Sequence, residues 1–210
     1  MRLVLLGPPG AGKGTQGPAL AVIYGVPHVA TGDIVRDHIA RRTEFGCRIE
    51  AAIAAGNFVA DADILYWVGV RLAEPDAAKG YILDGFPRDL AQAEAWTQAL
   101  DAVVDLEIAE DALVERLSGR LVCPVCDTVY NTTQHPPKSA GVCDNEGAKL
   151  VRRPDDEPSA VRHRLEVYRT RTAPLKVYYE TRGLLRCVDA LGSPEAVTER
   201  IQSAFMHKAC

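Results

Sequence analysis

The sequence predicts an α/β fold, a doubly wound, parallel five-stranded sheet with helices on both faces. Three observations lead there. Five short, mostly apolar runs, Arg2–Leu6, His28–Ala30, Tyr81–Leu83, Val103–Ile108 and Leu184–Val188, read as strands covered on both sides. Helical patterns fill the intervals between them, the alternation that builds crossover connections and hence parallel strands. At 210 residues the chain can bury one such core and still carry small inserted lobes.

In order, the first strand runs into a glycine-rich loop and a helix over Gly14–Tyr24. After the second strand come helices over Gly32–Arg42, Phe45–Ala55 and Ala62–Leu72, the first of them with Thr31 or Asp33 able to cap it. The third strand leads through a polar turn to a helix over Leu90–Leu100, and the fourth to a helix over Asp111–Ser118. Leu121–Pro154 then breaks the rhythm. It is rich in Cys, Pro, Gly, Thr and Asn without a sustained period, as expected of a separate small lobe set into the core. A long helix over Pro158–Thr181, the fifth strand and a helix over Pro194–Phe205 close the chain.

With 24 Lys and Arg against 28 Asp and Glu, the net charge of -4 gives no general attraction to nucleic acid or to an anionic membrane, so any positive site must be local. The opening run Leu3–Leu6 is too short for a signal peptide or a membrane span, which points to a cytoplasmic protein. There, six Cys are not expected to form a disulfide framework, and their spacing matters more than their number.

The loop GPPGAGKGTQ, residues 7–16, lies between the first strand and the first helix. Its glycines let successive N–H groups curl around an anion, the helix adds the positive end of its dipole, and Lys13 supplies a mobile charge. This is a phosphate-binding loop, so the fold is a P-loop α/β fold. Gly14 stands where the common pattern has the Ser or Thr that holds magnesium. Thr15 lies one residue on, and magnesium can be held through nucleotide phosphates and water, so Gly14 marks a variant and not a loss.

Further cations follow. Arg36 sits on the first turns of its helix, Asp84 and Arg88 lie in DGFPRD at the carboxyl end of a strand where α/β sheets bind ligands, and Arg116 and Arg120 fall at i and i+4 on one helical face. Arg153 and Arg164 lie at the far end of the lobe and just beyond it. Cations converging from both sides are what phosphoryl transfer requires, because charge spreads over the oxygens of the moving group.

Taken together, GPPGAGKGTQ, TGDIVR at 31–36, DGFPRD at 84–89 with Gln92, CPVC followed by PPK, RRPDD and VRHRLEVY resemble the adenylate kinases of the long, lid-bearing form, from Met1 to beyond Asp189 and in that family's order. The resemblance implies MgATP + AMP = 2 ADP. It assigns ATP to Gly10, Ala11, Gly12, Lys13, Gly14, Thr15, Arg116 and Arg120, and AMP to Thr31, Arg36, Asn57, Val59, Gly85, Arg88, Gln92, Arg153 and Arg164. Lys13, Arg88, Arg120, Arg153 and Arg164 would be catalytic, and Asp84 would hold the waters around magnesium. It further implies a core of residues 1–30, 60–120 and 154–210, a helical monophosphate-binding segment at 31–59 and a lid at 121–153. The partners are ATP, AMP and ADP, and the protein is expected to be a monomer.

The lobe carries its own motif. Cys123 and Cys126 form a C-x-x-C knuckle, and after sixteen intervening residues Cys143 begins CDNE, a segment of the same spacing that ends at Glu146. Three thiolates and a carboxylate suit a closed structural zinc site. Relatives with metal here usually offer Cys or Asp in the fourth place, so Glu146 is a departure, with Asp144 and His135 as alternatives; a metal-free lobe and a redox pair are the competing readings. For the whole chain, a UMP or CMP kinase would share the loop and arginines, though Thr31 leans towards adenine. A non-catalytic ATP-binding switch is the third reading.

Overall fold

The computed structural model describes residues 1–54, 59–126, 128–133, 135–152, 156 and 158–206. Its core is a parallel five-stranded sheet in the order β2-β3-β1-β4-β7, built from β1 (Arg2–Leu6), β2 (His28–Ala30), β3 (Tyr81–Asp84), β4 (Ala102–Glu107) and β7 (Leu185–Asp189). The hydrophobic patterning explains why both faces are covered. Alternate residues of β1 point to opposite sides: Leu3 and Leu5 join Leu20, Val104, Leu106 and Ile201 on one, while Val4 and Leu6 join Val68, Leu83, Phe86 and Leu175 on the other. The first cluster is closed by α1 (Lys13–Tyr24), α6 (Glu110–Ser118) and α9 (Pro194–Met206). The second is closed by α4 (Asp61–Leu72), α5 (Leu90–Ala95) and α8 (Leu175–Glu180). Between β2 and α4 the chain forms α2 (Thr31–Ala40) and α3 (Glu44–Ala54).

The expected strands and most helices stand within a residue or two of their expected ends. Three differences have physical causes. The helix expected over Pro158–Thr181 is broken into α7 (Pro158–Val167), a π-helical turn at Tyr168–Thr172, and α8. Pro174 has no N–H to donate, so the ladder cannot run through it, and Ala173 N instead reaches back to Tyr168 O at 2.8 Å. The helix expected to reach Leu100 stops at Ala95, where Trp96 turns to extended backbone and packs its ring edge-on against Phe86 at 5.0 Å. Finally, α6 ends at Ser118 with Gly119 as its cap, so Arg120 does not share a helical face with Arg116 but opens β5 (Arg120–Val122).

The inserted lobe has order that the sequence pattern does not reveal. β5 pairs antiparallel with β6 (Val129–Asn131), and Val122 exchanges backbone hydrogen bonds with Val151 at 2.8 and 2.9 Å, so entry and exit share one neck. A small core of Cys123, Tyr130, Cys143 and Leu150 lies within it. Among the described residues no helix is long and apolar enough to cross a membrane.

Candidate active site

β1 delivers the chain into the glycine loop at the carboxyl edge of the sheet. Gly12 caps α1 with φ 103°, a left-handed conformation that a side chain would strain. Lys13 folds back across the loop, donating to Gly7 O at 2.6 Å and Pro8 O at 3.0 Å. Burial pushes its ammonium down to about 8, opposed by the negative charge of Asp84 and reinforced by the positive charges of Arg88 and Arg164. An incoming polyphosphate would reverse that cost.

β3 ends beside the loop and places Asp84, Gly85 and Arg88 there. Asp84 faces the phosphate loop at close range: a Cβ on Gly14 would stand 4.0 Å from Asp84 Oδ2, an ordinary contact. Burial pushes the Asp84 carboxyl up, but His28, Lys13 and Arg88 outweigh it and hold it below the usual carboxylate range. His28 Nε2 lies 3.7 Å from Asp84 Oδ2, too long for a direct hydrogen bond yet close enough for charge to be felt. Arg88 donates from Nε to Gly85 O at 2.8 Å, and Thr31 Oγ1 donates to the same carbonyl at 2.9 Å. A Cβ on Gly85 would come within 2.7 Å of Thr31 Oγ1, which is why a glycine stands there. Burial lowers the Arg88 pKa from its usual value, with Asp84 opposing. Gln92 is buried next to this group, its Oε1 accepting from Arg88 N at 2.8 Å.

The other expected residues divide. Arg120 pairs with buried Asp156 through two hydrogen bonds, and Arg164 Nη1 approaches the same carboxylate at 3.6 Å, so these two cations converge on one anion at the lobe neck. Arg116 donates to Ala190 O at 2.8 Å and to Ala11 O at 3.4 Å, buttressing the phosphate loop. Gly10 and Ala11 lie within that loop, and Gly14 and Thr15 are exposed at its end. Arg36 stands apart from the cluster, exposed and paired with Asp33. Val59 is half-buried just before α4. Asn57 and Arg153 lie outside the described residues.

Comparison with known proteins decides the family. The adenylate kinase family model matches residues 5–184. The adenylate kinase of Anaeromyxobacter sp. strain Fw109-5 is 49% identical over 211 residues, covering 96% of this chain and 99% of that protein. Those of Streptomyces avermitilis and Kosmotoga olearia are each 45% identical, covering 98% and 96% of this chain. The chain belongs to the adenylate kinase family.

In this adenylate kinase family member the glycine loop, Asp84 and Arg88 lie together at the carboxyl edge of the sheet. The inserted lobe's thiols from Cys123, Cys126 and Cys143 lie within 4.8 Å of one another and could hold a metal ion. Cys126 Sγ and Cys143 Sγ are 3.6 Å apart. Burial pushes the Cys143 thiol up, but hydrogen bonds from the Tyr130 hydroxyl and from the N–H groups of Glu146 and Asn145 outweigh it and bring it to about 7. Burial and the neighbouring thiols push the Cys123 thiol up, so Cys143 is the one readied to ionise, and three clustered thiols are a donor set that fits zinc. Glu146, the expected fourth ligand, gives its N–H to this sulfur, while its side chain is exposed and its carboxylate is not part of the group of ligand atoms.

Several adenylate kinase residues at the site escape sequence reasoning. Asp156 sits in RRPDD, but the arginines it pairs with are Arg120 and Arg164 and not the two beside it. Asp89 accepts from Gln92 N at 2.9 Å as the cap of α5, and D-x-x-Q is legible as a capping pattern. His28 and Arg171 carry no local signal, because their partners Asp84 and Asp89 lie 56 and 82 positions away in the chain.

Proposed function

We propose that the chain catalyses MgATP + AMP = 2 ADP with Lys13 and the amides of residues 10–15 on the ATP phosphates, and with Arg88, Arg120, Arg153 and Arg164 around the group in transit. The observation that best supports this is the convergence of Lys13, Asp84 and Arg88 where β1 and β3 end, with Arg164 near enough to shift the Lys13 pKa. The attacking atom is already a phosphate oxygen, so no general base is needed. Positioning and charge neutralisation carry the chemistry. Arg116 would flank the base of ATP. AMP would lie against Thr31, Arg36, Gly85, Arg88 and Gln92, with Asn57 and Val59 lending backbone contacts and Arg153 and Arg164 reaching its phosphate.

Magnesium, which adenylate kinases use with ATP, would be held through water by Asp84 and would neutralise charge on the ATP phosphates. Asp84 fits that role because its surroundings keep it ionised beside the loop. Water competes with AMP as acceptor, so residues 121–153 and 31–59 are read as the two parts that close over the core of 1–30, 60–120 and 154–210. Arg120 and Arg164 would exchange Asp156 for phosphate as they close. A structural zinc bound by Cys123, Cys126, Cys143 and, on inward rotation of its side chain, Glu146 would stiffen the lid. The same reading makes the protein a cytoplasmic monomer.

A panel of acceptors tests this. With MgATP, AMP should be converted rapidly to ADP, and UMP, CMP and GMP left largely untouched. Preference for UMP or CMP would replace the assignment of the acceptor, and failure to use any of them would overturn it.

A further inference from the structure

A side-chain carboxamide is by itself a poor reader of purines. It offers a donor and an acceptor side by side, and a half-turn about its last bond exchanges them. Adenine presents an acceptor at N1 and a donor at its 6-amino group; a 6-oxopurine presents the reverse. A carboxamide that can flip pairs with either.

In this chain the flip of Gln92 is opposed from both ends. Its Oε1 accepts from Arg88 N at 2.8 Å, and its Nε2 donates to Asp61 Oδ1 at 2.6 Å. The backbone N–H only donates and the carboxylate oxygen only accepts, so the turned amide would meet N–H with NH2 and carboxylate with carbonyl. Asp61 is itself held. Arg171, in the π-helical turn, lies 3.7 Å from its Oδ2 and pairs with Asp89, whose other oxygen takes the Gln92 N–H. Asp61 begins α4, directly after the segment read as closing over AMP, so the brace ties that segment's end to α5.

We propose that Asp61 is a specificity-determining residue for the phosphoryl acceptor. It fixes the direction of the Gln92 amide, so that the remaining N–H and lone pair match the edge of adenine and oppose that of a 6-oxopurine. Arg171 acts through Asp61 and Asp89 as a positioning residue. The inference rests on Gln92 standing at the AMP base, as read above. A mismatched purine would bury donor against donor and acceptor against acceptor, and sites built on polar pairing discriminate mainly by such unpaired groups.

The test compares kcat/KM for AMP and for IMP, which differs from AMP only at positions 1 and 6 of the purine, with ATP as donor. In Asp61→Asn the new amide can turn to donate or accept, so of the two contacts only the Arg88 N–H still opposes the turned amide. The preference for AMP over IMP should fall about tenfold or more, chiefly through better use of IMP, while kcat with AMP and KM for ATP stay within about twofold. Asp61→Ser keeps a residue suited to a helix start but is too short to reach Gln92, and should shift the preference the same way. Gln92→Leu should raise KM for AMP and also reduce the preference. An unchanged preference in both folded Asp61 variants, with a reduced one in Gln92→Leu, overturns the lock and leaves Gln92 as the reader of the base. An unchanged preference in Gln92→Leu overturns the reading of Gln92, and the lock with it.

Discussion

Arg88 and Lys13 are crowded at the carboxyl edge of the sheet at a cost to the unliganded protein, since desolvation lowers the pKa of both and the positive charge of Arg88 adds to the cost on Lys13. Arg88→Ala should therefore leave the melting temperature unchanged or slightly raised. Its kcat should nonetheless fall about a hundredfold or more, because a charge aimed at the moving group in a closed site is worth roughly 3 kcal/mol. Loss of less than about tenfold, where that principle expects a hundredfold, would remove Arg88 from the transition state. Lys13 makes a second prediction. Its pKa of about 8 in the unliganded fold lies below the ordinary 10.5, so between those values the unfolded chain binds more protons and this group makes the empty protein more stable as pH rises. ATP phosphates favour the charged form and so pull a proton onto Lys13 when they bind above about pH 8. Calorimetry in buffers of different ionisation enthalpy should show proton uptake there and weakening affinity with rising pH, both absent in Lys13→Met. Binding without any buffer dependence would contradict the placement of Lys13 on the phosphates.

The inserted lobe shows how an element with only a four-residue core is held. Its interior is Cys123, Tyr130, Cys143 and Leu150, and a metal held by its thiols would stabilise it by far more than that packing. Protein purified without chelator should carry about one zinc per chain, the count a single closed site takes. Cys143→Ser should lower both zinc content and melting temperature, whereas Glu146→Ala should keep a folded lid with weaker zinc affinity. A metal-free wild type would end the zinc proposal. What the sequence made legible follows from range. The glycine loop, the strand ends and the CPVC knuckle are local patterns, and the structure puts Lys13, Asp84 and Arg88 together where the sheet topology requires. Arg120 was misplaced on a helix because Gly119 ends α6 one residue earlier, a stop that helical spacing alone does not reveal. The break near Pro174 was written in the sequence but masked by apolar periodicity on either side of it. His28 and Arg171 matter through partners 56 and 82 positions away, as Asp156 does through Arg120 at 36, and no local window of sequence brings those pairs together.

At the scale of the whole molecule, the parallel sheet supplies an edge on which β1 and β3 present a glycine loop and a cation, while the inserted lobe and the α2–α3 segment are proposed to carry what must approach it. The division accounts for a chain whose net charge is -4 yet which sets Lys13 in the field of Arg88 and Arg164 and brings Arg164 and Arg120 together at Asp156. It also implies that the lid can loosen without loss of the core, because the two clusters against the sheet contain none of the lid's residues. Chelation should thus lower activity and release a small early melting step, leaving the main transition in place. The central claim is that this assembly hands phosphate to AMP and keeps water out. It is tested most directly by phosphorus NMR of the protein with MgATP and AMP, the γ-phosphoryl group of ATP carrying an oxygen label. The label should appear in the β-phosphate of ADP formed from AMP, with two ADP made for each ATP consumed and almost no inorganic phosphate. Label released mainly as inorganic phosphate, with AMP unchanged, would contradict it.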